Sequence, residues 1–189
     1  MTALRIDTRA SAVSDDVVTS ASAWMMSVEP PIRLGHARFS LDAGRLESSV
    51  RRYFVDAFFT RHFERIERDS PDARVLDIGG HKHRKRGRFD ANRYPMTIVY
   101  ANLDGRWQPD IVCDASSVPR PDCSFDVVVL AEIVEHLRDP KSALREACRL
   151  LRPGGELLAT APFMFRVHSD PIDVGRYAPD WWSEALAHA

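Results

Sequence analysis

Cysteine is scarce: Cys113, Cys123 and Cys148 are the only three, and no Cys-x-x-Cys pair occurs. An odd, unpaired set excludes a disulfide framework and a structural thiolate zinc site, so these are read as reduced thiols. Long apolar runs are missing as well. The longest, Val127-Val128-Val129-Leu130-Ala131, is broken by Glu132 before Ile133-Val134, whereas a bilayer crossing needs roughly 20 apolar residues. No membrane span is expected. Met1-Thr2-Ala3-Leu4-Arg5-Ile6-Asp7 carries no apolar stretch behind a basic start, so no secretory signal is read and a cytoplasmic location is expected. Nor does one sign of charge dominate. With 26 basic and 27 acidic side chains the net charge is -1, which supplies no field to hold a polyanion and argues against nucleic acid as the main partner.

The 189 residues, 44% hydrophobic and 28% charged, suffice for one domain with a real core. Residues 1–40 mix Ser, Thr, Ala and Asp with a Glu29-Pro30-Pro31 break and show no period. They read as a flexible or loosely docked arm, and residues 41–189 as the domain. From Leu46 to Ile66, Val50, Phe54, Ala57, Phe58, Phe63 and Ile66 recur at helical spacing. This predicts a helix with an aromatic core face and a charged face of Arg51, Arg52, Arg61, Glu64 and Arg65.

The period then changes. Arg74–Gly80 is a short apolar run ending in glycine, Thr97–Asp104 and Asp110–Asp114 end on acids, and Phe125–Leu130 holds the most continuous β-branched run in the chain. These read as four buried parallel strands, with the last in the middle of the sheet. Asp139 caps a following helix whose face is Ala143, Leu144, Ala147, Leu150 and Leu151, stopped by Pro153-Gly154-Gly155. Glu156–Ala161 is a fifth strand, and Pro179–Leu186 a short helix with Trp182 and Leu186 on one side. Alternation on short connections predicts an α/β fold with an open, mainly parallel sheet flanked by helices. Ligands in such sheets bind at the carboxyl ends of the strands. Gly79 and Gly80 would let a ligand approach the backbone. Asp104 can accept both hydroxyls of a ribose, and Asp114 an exocyclic amine; the bland reading of each acid is a solvated strand end.

The ordered series Val75-Leu76-Asp77-Ile78-Gly79-Gly80, Leu103-Asp104, Asp114-Ala115, Ser124-Phe125-Asp126-Val127-Val128, Glu135-His136-Leu137 and Arg149-Leu150-Leu151-Arg152-Pro153-Gly154-Gly155 resembles the Rossmann-like, class I S-adenosylmethionine-dependent methyltransferases. The resemblance spans about Arg74 to Leu186 and is closest to the type 11 branch. It implies S-adenosylmethionine as cofactor, with methionine over Gly79 and Gly80, ribose on Asp104, and adenine against Asp114 and Ala115. Glu132 would lie near the amino acid end, and Asp77 would brace the glycine turn. His136 is either a structural cap or a base. His168 is the sharper candidate for the catalytic base. It stands in Pro162–Tyr177, whose "PF…H…P.D..RY" texture is similar to a subset of these enzymes. In that loop Phe163, Asp173, Arg176 and Tyr177 are candidates for an acceptor pocket, while Asp173 and Arg176 pairing across a turn is the bland account.

Two departures stand out. Gly79-Gly80 runs into His81-Lys82-His83-Arg84-Lys85-Arg86-Gly87, which displaces the third glycine; that basic cluster is either a solvated loop or a neutraliser of an anionic group. His81 and His83 lack carboxylate or thiolate partners nearby, so no metal is expected. The family's C-terminal antiparallel hairpin has no counterpart before Ala189, which leaves the fifth strand as an edge for the N-terminal arm, a second copy in a homo-oligomer, or another partner to cover. The implied function is methyl transfer to an oxygen or nitrogen of a small-molecule acceptor, a secondary metabolite or sugar-like compound. The alternative is a catalytically inactive S-adenosylmethionine-binding or partner subunit of a methyltransferase complex.

Overall fold

Apolar side chains that alternate between two covered faces build the sheet. The structure, a computed structural model, describes residues 2–7, 50–83, 87–168 and 172–189. Strands β2 (Arg74–Ile78), β3 (Thr97–Asn102), β4 (Ile111–Val112), β5 (Phe125–Ala131) and β6 (Leu151–Ala161) pair in parallel in the order β6-β5-β2-β3-β4. The chain runs outward from β2 through β3 to β4, then returns to β5 on the other side of β2. That reversal puts the topological switch point between β2 and β5, where an open α/β sheet binds ligands.

Helix α1 (Val50–Asp69) covers one face and helices α2 (Pro140–Leu150) and α3 (Pro179–Ala187) the other. Strand residues divide by parity: Val75, Val127, Val129 and Leu158 pack under α1, while Leu76, Ile78, Val128, Leu130, Leu157 and Ala159 pack under α2 and α3. Burial on both faces is why β5 reads as an unbroken apolar run. Asp139 caps α2, its carboxylate accepting from the Ser142 amide at 3.1 Å, and Pro140 fills the first turn. Trp182 and Leu186 of α3 are buried, as their four-residue spacing predicts.

Several boundaries differ from the sequence reading. The buried face of α1 is Val55, Phe58, Phe59, His62, Phe63 and Ile66, a stripe rotated from the predicted one, and residues 46–49 lie outside the described residues. Its arginines are not simply solvated: Arg51 pairs with Glu132 and Arg65 with Glu156, both acids of the sheet side. Helix α2 ends at Leu150, because Leu151 already pairs with Phe125 in β6, with a register shift before Val127. Strand β3 stops at Asn102 and β4 has only two residues, so Asp104 and Asp114 lie in the turns beyond.

The edge of β6 is covered. Strand β1 (Thr2–Asp7) runs antiparallel along it, from Thr2 opposite Ala161 to Asp7 opposite Glu156. This part of the predicted arm is therefore a strand, and residues 8–40 lie outside the described residues. So do Arg84, Lys85 and Arg86 of the basic cluster and Ser169, Asp170 and Pro171 of the loop after β6. No helix among the described residues is long and apolar enough to cross a membrane.

Candidate functional site

The turn after β2 is shaped by two glycines that no other residue can replace without movement. Gly79 has φ +82, and a Cβ there would collide with Ile133. Left-handed backbone of this kind favours glycine. A Cβ on Gly80 would occupy the space of the Asp77 carboxylate, so Asp77 lies against the turn. The Gly79 amide donates to the Ala101 carbonyl at 2.7 Å. Asn102, at the end of β3, donates its side-chain amide to the carbonyls of Gly79 and Gly80, both at 3.2 Å. Its Oδ1 accepts the Asp104 amide at 2.9 Å. Asn102 thus ties the glycine turn to the next turn.

Asp104 caps the one-turn helix Gly105–Trp107, accepting the Arg106 amide at 2.9 Å. The Arg106 guanidinium also grips the carboxylate, with Nη2 to Oδ2 at 2.6 Å. These side-chain and backbone bonds from Arg106 hold the Asp104 carboxyl below its ordinary range. Trp107 stacks on His81 with ring centroids 4.1 Å apart, joining the loop after β2 to the loop after β3. Asp114 accepts from the Ser116 hydroxyl at 2.7 Å and amide at 2.8 Å, which keep its carboxyl low as well.

Beyond β5, Glu132 adopts φ +58, a left-handed conformation that a non-glycine residue holds only under constraint. Its amide donates to the Thr160 carbonyl at 2.9 Å, and its buried carboxylate pairs with Arg51. Arg51 in turn lies over the Phe165 ring, 4.3 Å from the centroid. The one-turn helix Val134–His136 follows. Glu135 is fully buried, and burial raises its carboxyl above the ordinary value. Nδ1 of His136 bonds to the Ile172 carbonyl.

These tips enclose a cavity of about 750 Å³. Asp77, Gly79, Gly80, Asp104, Asp114, Ala115 and Glu132, the seven residues expected at the cofactor, all line it. His136 lines it too. His168 does not: its ring packs edge-on against His136, centroids 5.1 Å apart, and its Nδ1 is 3.1 Å from Asp173. Phe163, Asp173, Arg176 and Tyr177 are likewise not among the lining residues. Asp173 is clasped by Arg176 and accepts the His168 amide at 2.8 Å, so this pair fixes its loop. Tyr177 packs on Trp181 of α3 with centroids 4.1 Å apart, and Phe163 is exposed.

The opposite wall comes from α1 and from the segment around Phe89: Arg52, Val55, Asp56, Phe59 and Phe89. Sequence reasoning placed Arg52 on a charged helix face and passed over Asp56 and Asn102. The signal for Asn102 was available, since a polar residue closing an apolar strand two positions before an acid suits a turn. Asp56 left no such trace, because its partner, the Arg88 amide at 2.8 Å, lies 32 residues on.

A glycine turn, acids just beyond successive strand ends and a shared cavity are the features a nucleoside-like ligand needs in an open α/β sheet. Residues 88–159 match the family model for a methyltransferase domain. The chain is 37% identical over 71 residues to a ubiquinone/menaquinone biosynthesis C-methyltransferase, UbiE, of Laribacter hongkongensis, covering 36% of this chain and 29% of that protein. It is 50% identical over 44 residues to the 27-O-demethylrifamycin SV methyltransferase of Amycolatopsis mediterranei, covering 23% and 16%. It thus spans less than a third of the length of either relative. A Bacillus halodurans protein assigned as a methyltransferase shares the fold, with a TM-score of 0.56 at 18% identity over 68% of this chain and 67% of that one. Over the matched segment the chain is similar to S-adenosylmethionine-dependent methyltransferases, and it shares their Rossmann-like α/β fold.

Proposed function

We propose that the protein binds S-adenosylmethionine in this cavity and transfers its methyl group to an oxygen or nitrogen of a small-molecule acceptor, of the secondary-metabolite or sugar-like kind. The observation that carries the reading is the row of turns after β2, β3, β4 and β5 facing one cavity, with a glycine pair at one end and Asp104 and Asp114 along it. The residues fit the cofactor. Gly79 and Gly80 lack the side chains that would fill the approach to the turn, so the methionine part can lie close to the backbone. Asp104 accepts the ribose hydroxyls, and Asp114 and Ala115 flank the adenine.

The bound cofactor supplies an electrophilic methyl group on a sulfonium. What the chain adds is position. Holding acceptor and methyl in line removes on the order of 7 to 11 kcal/mol from such a barrier in well-oriented cases. The wall of Val55, Phe59 and Phe89 can shield the acceptor from water, and Arg52 and Asp56 give it polar anchors. Among relatives, one is named for methylation at carbon and one for methylation at oxygen. The mixed wall favours a polar acceptor.

Calorimetry with S-adenosylmethionine and S-adenosylhomocysteine is the first test. Saturable heat from both supports the reading; silence from both points to an idle partner subunit. Turnover of methyl-labelled cofactor with hydroxylated and aminated acceptors then tests the acceptor class, and label fixed only at carbon overturns the oxygen or nitrogen assignment.

A further inference from the structure

Glu135, His136 and His168 offer three ligand atoms that all lie within 4.8 Å of one another. Glu135 is 0% exposed, and neither oxygen of its carboxylate has a hydrogen-bond partner. A buried carboxyl group in that condition is costly unless a donor or a cation meets it. The neighbouring charges are already matched, Glu132 by Arg51 and Asp173 by Arg176. The partner at hand is the His136 ring, with Nε2 3.7 Å from Glu135, beyond hydrogen-bond reach.

Each histidine ring has an oxygen behind it, His136 by a hydrogen bond and His168 by close approach to a carboxylate. Nδ1 of His136 bonds to the Ile172 carbonyl, and Nδ1 of His168 is 3.1 Å from the Asp173 carboxylate, which Arg176 secures. The carbonyl on Nδ1 of His136 fixes its tautomer and leaves Nε2 as the donor atom, the arrangement found behind metal-bound histidines, and the Asp173 carboxylate lies close enough to His168 Nδ1 to serve the same purpose when the ring turns to an ion. Two imidazoles and one carboxylate form a set suited to zinc or another divalent first-row ion. With each donor about 2.0 to 2.2 Å from the ion, as zinc requires, the three atoms need only draw inward.

We propose that Glu135, His136 and His168 form a binding site for a divalent first-row transition ion, zinc in the first instance, at the wall of the cavity that His136 lines. This site does not depend on the methyl-transfer reading. It goes beyond the sequence expectation of no metal, which rested on the lack of carboxylate or thiolate partners near His81 and His83.

The test is zinc titration of chelator-stripped full-length protein by calorimetry, with X-ray absorption at the zinc edge. One saturable site per chain is expected, with nitrogen and oxygen donors at about 2.0 to 2.2 Å. Glu135→Gln and His168→Ala should abolish it, with folding checked by circular dichroism. Asp173→Asn, which touches no ion, should weaken it by roughly 10- to 100-fold. Absence of saturable uptake by the folded wild type overturns the proposal, as does a sulfur shell at about 2.3 Å or uptake that folded variants leave unchanged. Cofactor calorimetry on the same samples is a separate readout, so failure of either idea is told apart from failure of the other.

Discussion

Arg106 holds Asp104 with Nε at 3.0 and 2.9 Å from its two carboxylate oxygens and Nη2 at 2.6 Å from one of them. The carboxylate assigned to the ribose is therefore already occupied by a guanidinium. The Arg106 side chain is 87% exposed, and an exposed pair of this kind contributes little to stability. On the proposed function, a ribose bound at Asp104 would compete with Arg106 for the same lone pairs. Asp104→Ala should weaken S-adenosylhomocysteine binding by roughly ten- to a hundredfold, the scale of charged hydrogen bonds lost. Arg106→Ala should bind it as well as or better than the wild type. Calorimetry decides; equal loss in both variants would mean that Arg106 assists the cofactor instead of competing with it.

The glycine turn gives a second prediction. Gly79→Ala combines a left-handed backbone with a collision against Ile133, and overpacking with such strain costs about 1 to 3 kcal/mol. Adding Ile133→Ala removes the collision but not the backbone strain, so the double variant should recover only part of the lost melting temperature. Full recovery would show that the backbone at Gly79 tolerates a side chain.

Much of this was legible from local chemistry. Parity along β5 and the Gly79-Gly80 turn are written within a few residues of each other, and strands buried on both faces leave little else to read. Position alone singles out Asp104 and Asp114, which line the cavity although both lie past their strands. What escaped depends on distant pairing. Arg51 reads as a surface residue until Glu132 is brought beside it from 81 positions on, and Thr2–Asp7 shows no strand pattern because its ladder partner is β6. The loop after β6 shows the same limit: its aromatic and charged residues suggest a pocket, while Tyr177 packs on α3 and Asp173 pairs with Arg176.

The covered edge makes a third prediction. Residues 157–160 of β6 are buried, and a bared apolar strand recruits other chains. Removing Thr2–Asp7 should give concentration-dependent association in light scattering, while the full chain at the same concentration shows less. Identical behaviour of the two would mean that β1 is dispensable to the edge.

Acid stability offers a fourth. Glu146 accepts from Arg149, at 2.7 and 2.8 Å, and from the Val118 amide at 2.7 Å. The Arg149 bonds, ahead of the amide, hold its carboxyl below the ordinary value against the opposing effect of burial. A lowered carboxyl gives its full stabilisation above the unfolded value of about 4.3 and loses it as pH falls through the folded value. Melting temperature should therefore drop between about pH 5 and pH 3, and Glu146→Gln should flatten that limb. Parallel curves for the two proteins would remove Glu146 from the acid response.

The three thiols should react in a set order. Cys123 is exposed, whereas burial raises Cys113, with Asp114 adding to it, and pushes Cys148 up to about 11. Since the thiolate is the nucleophile, alkylation at about pH 8 should modify Cys123 first and Cys148 last. Cys113 lines the cavity, so S-adenosylhomocysteine should slow its reaction and leave that of Cys123 untouched. Peptide mapping by mass spectrometry reads all three at once. Protection of Cys123 in place of Cys113 would put the ligand outside this cavity, and fast labelling of Cys148 would mean that the α2 side of the core opens readily.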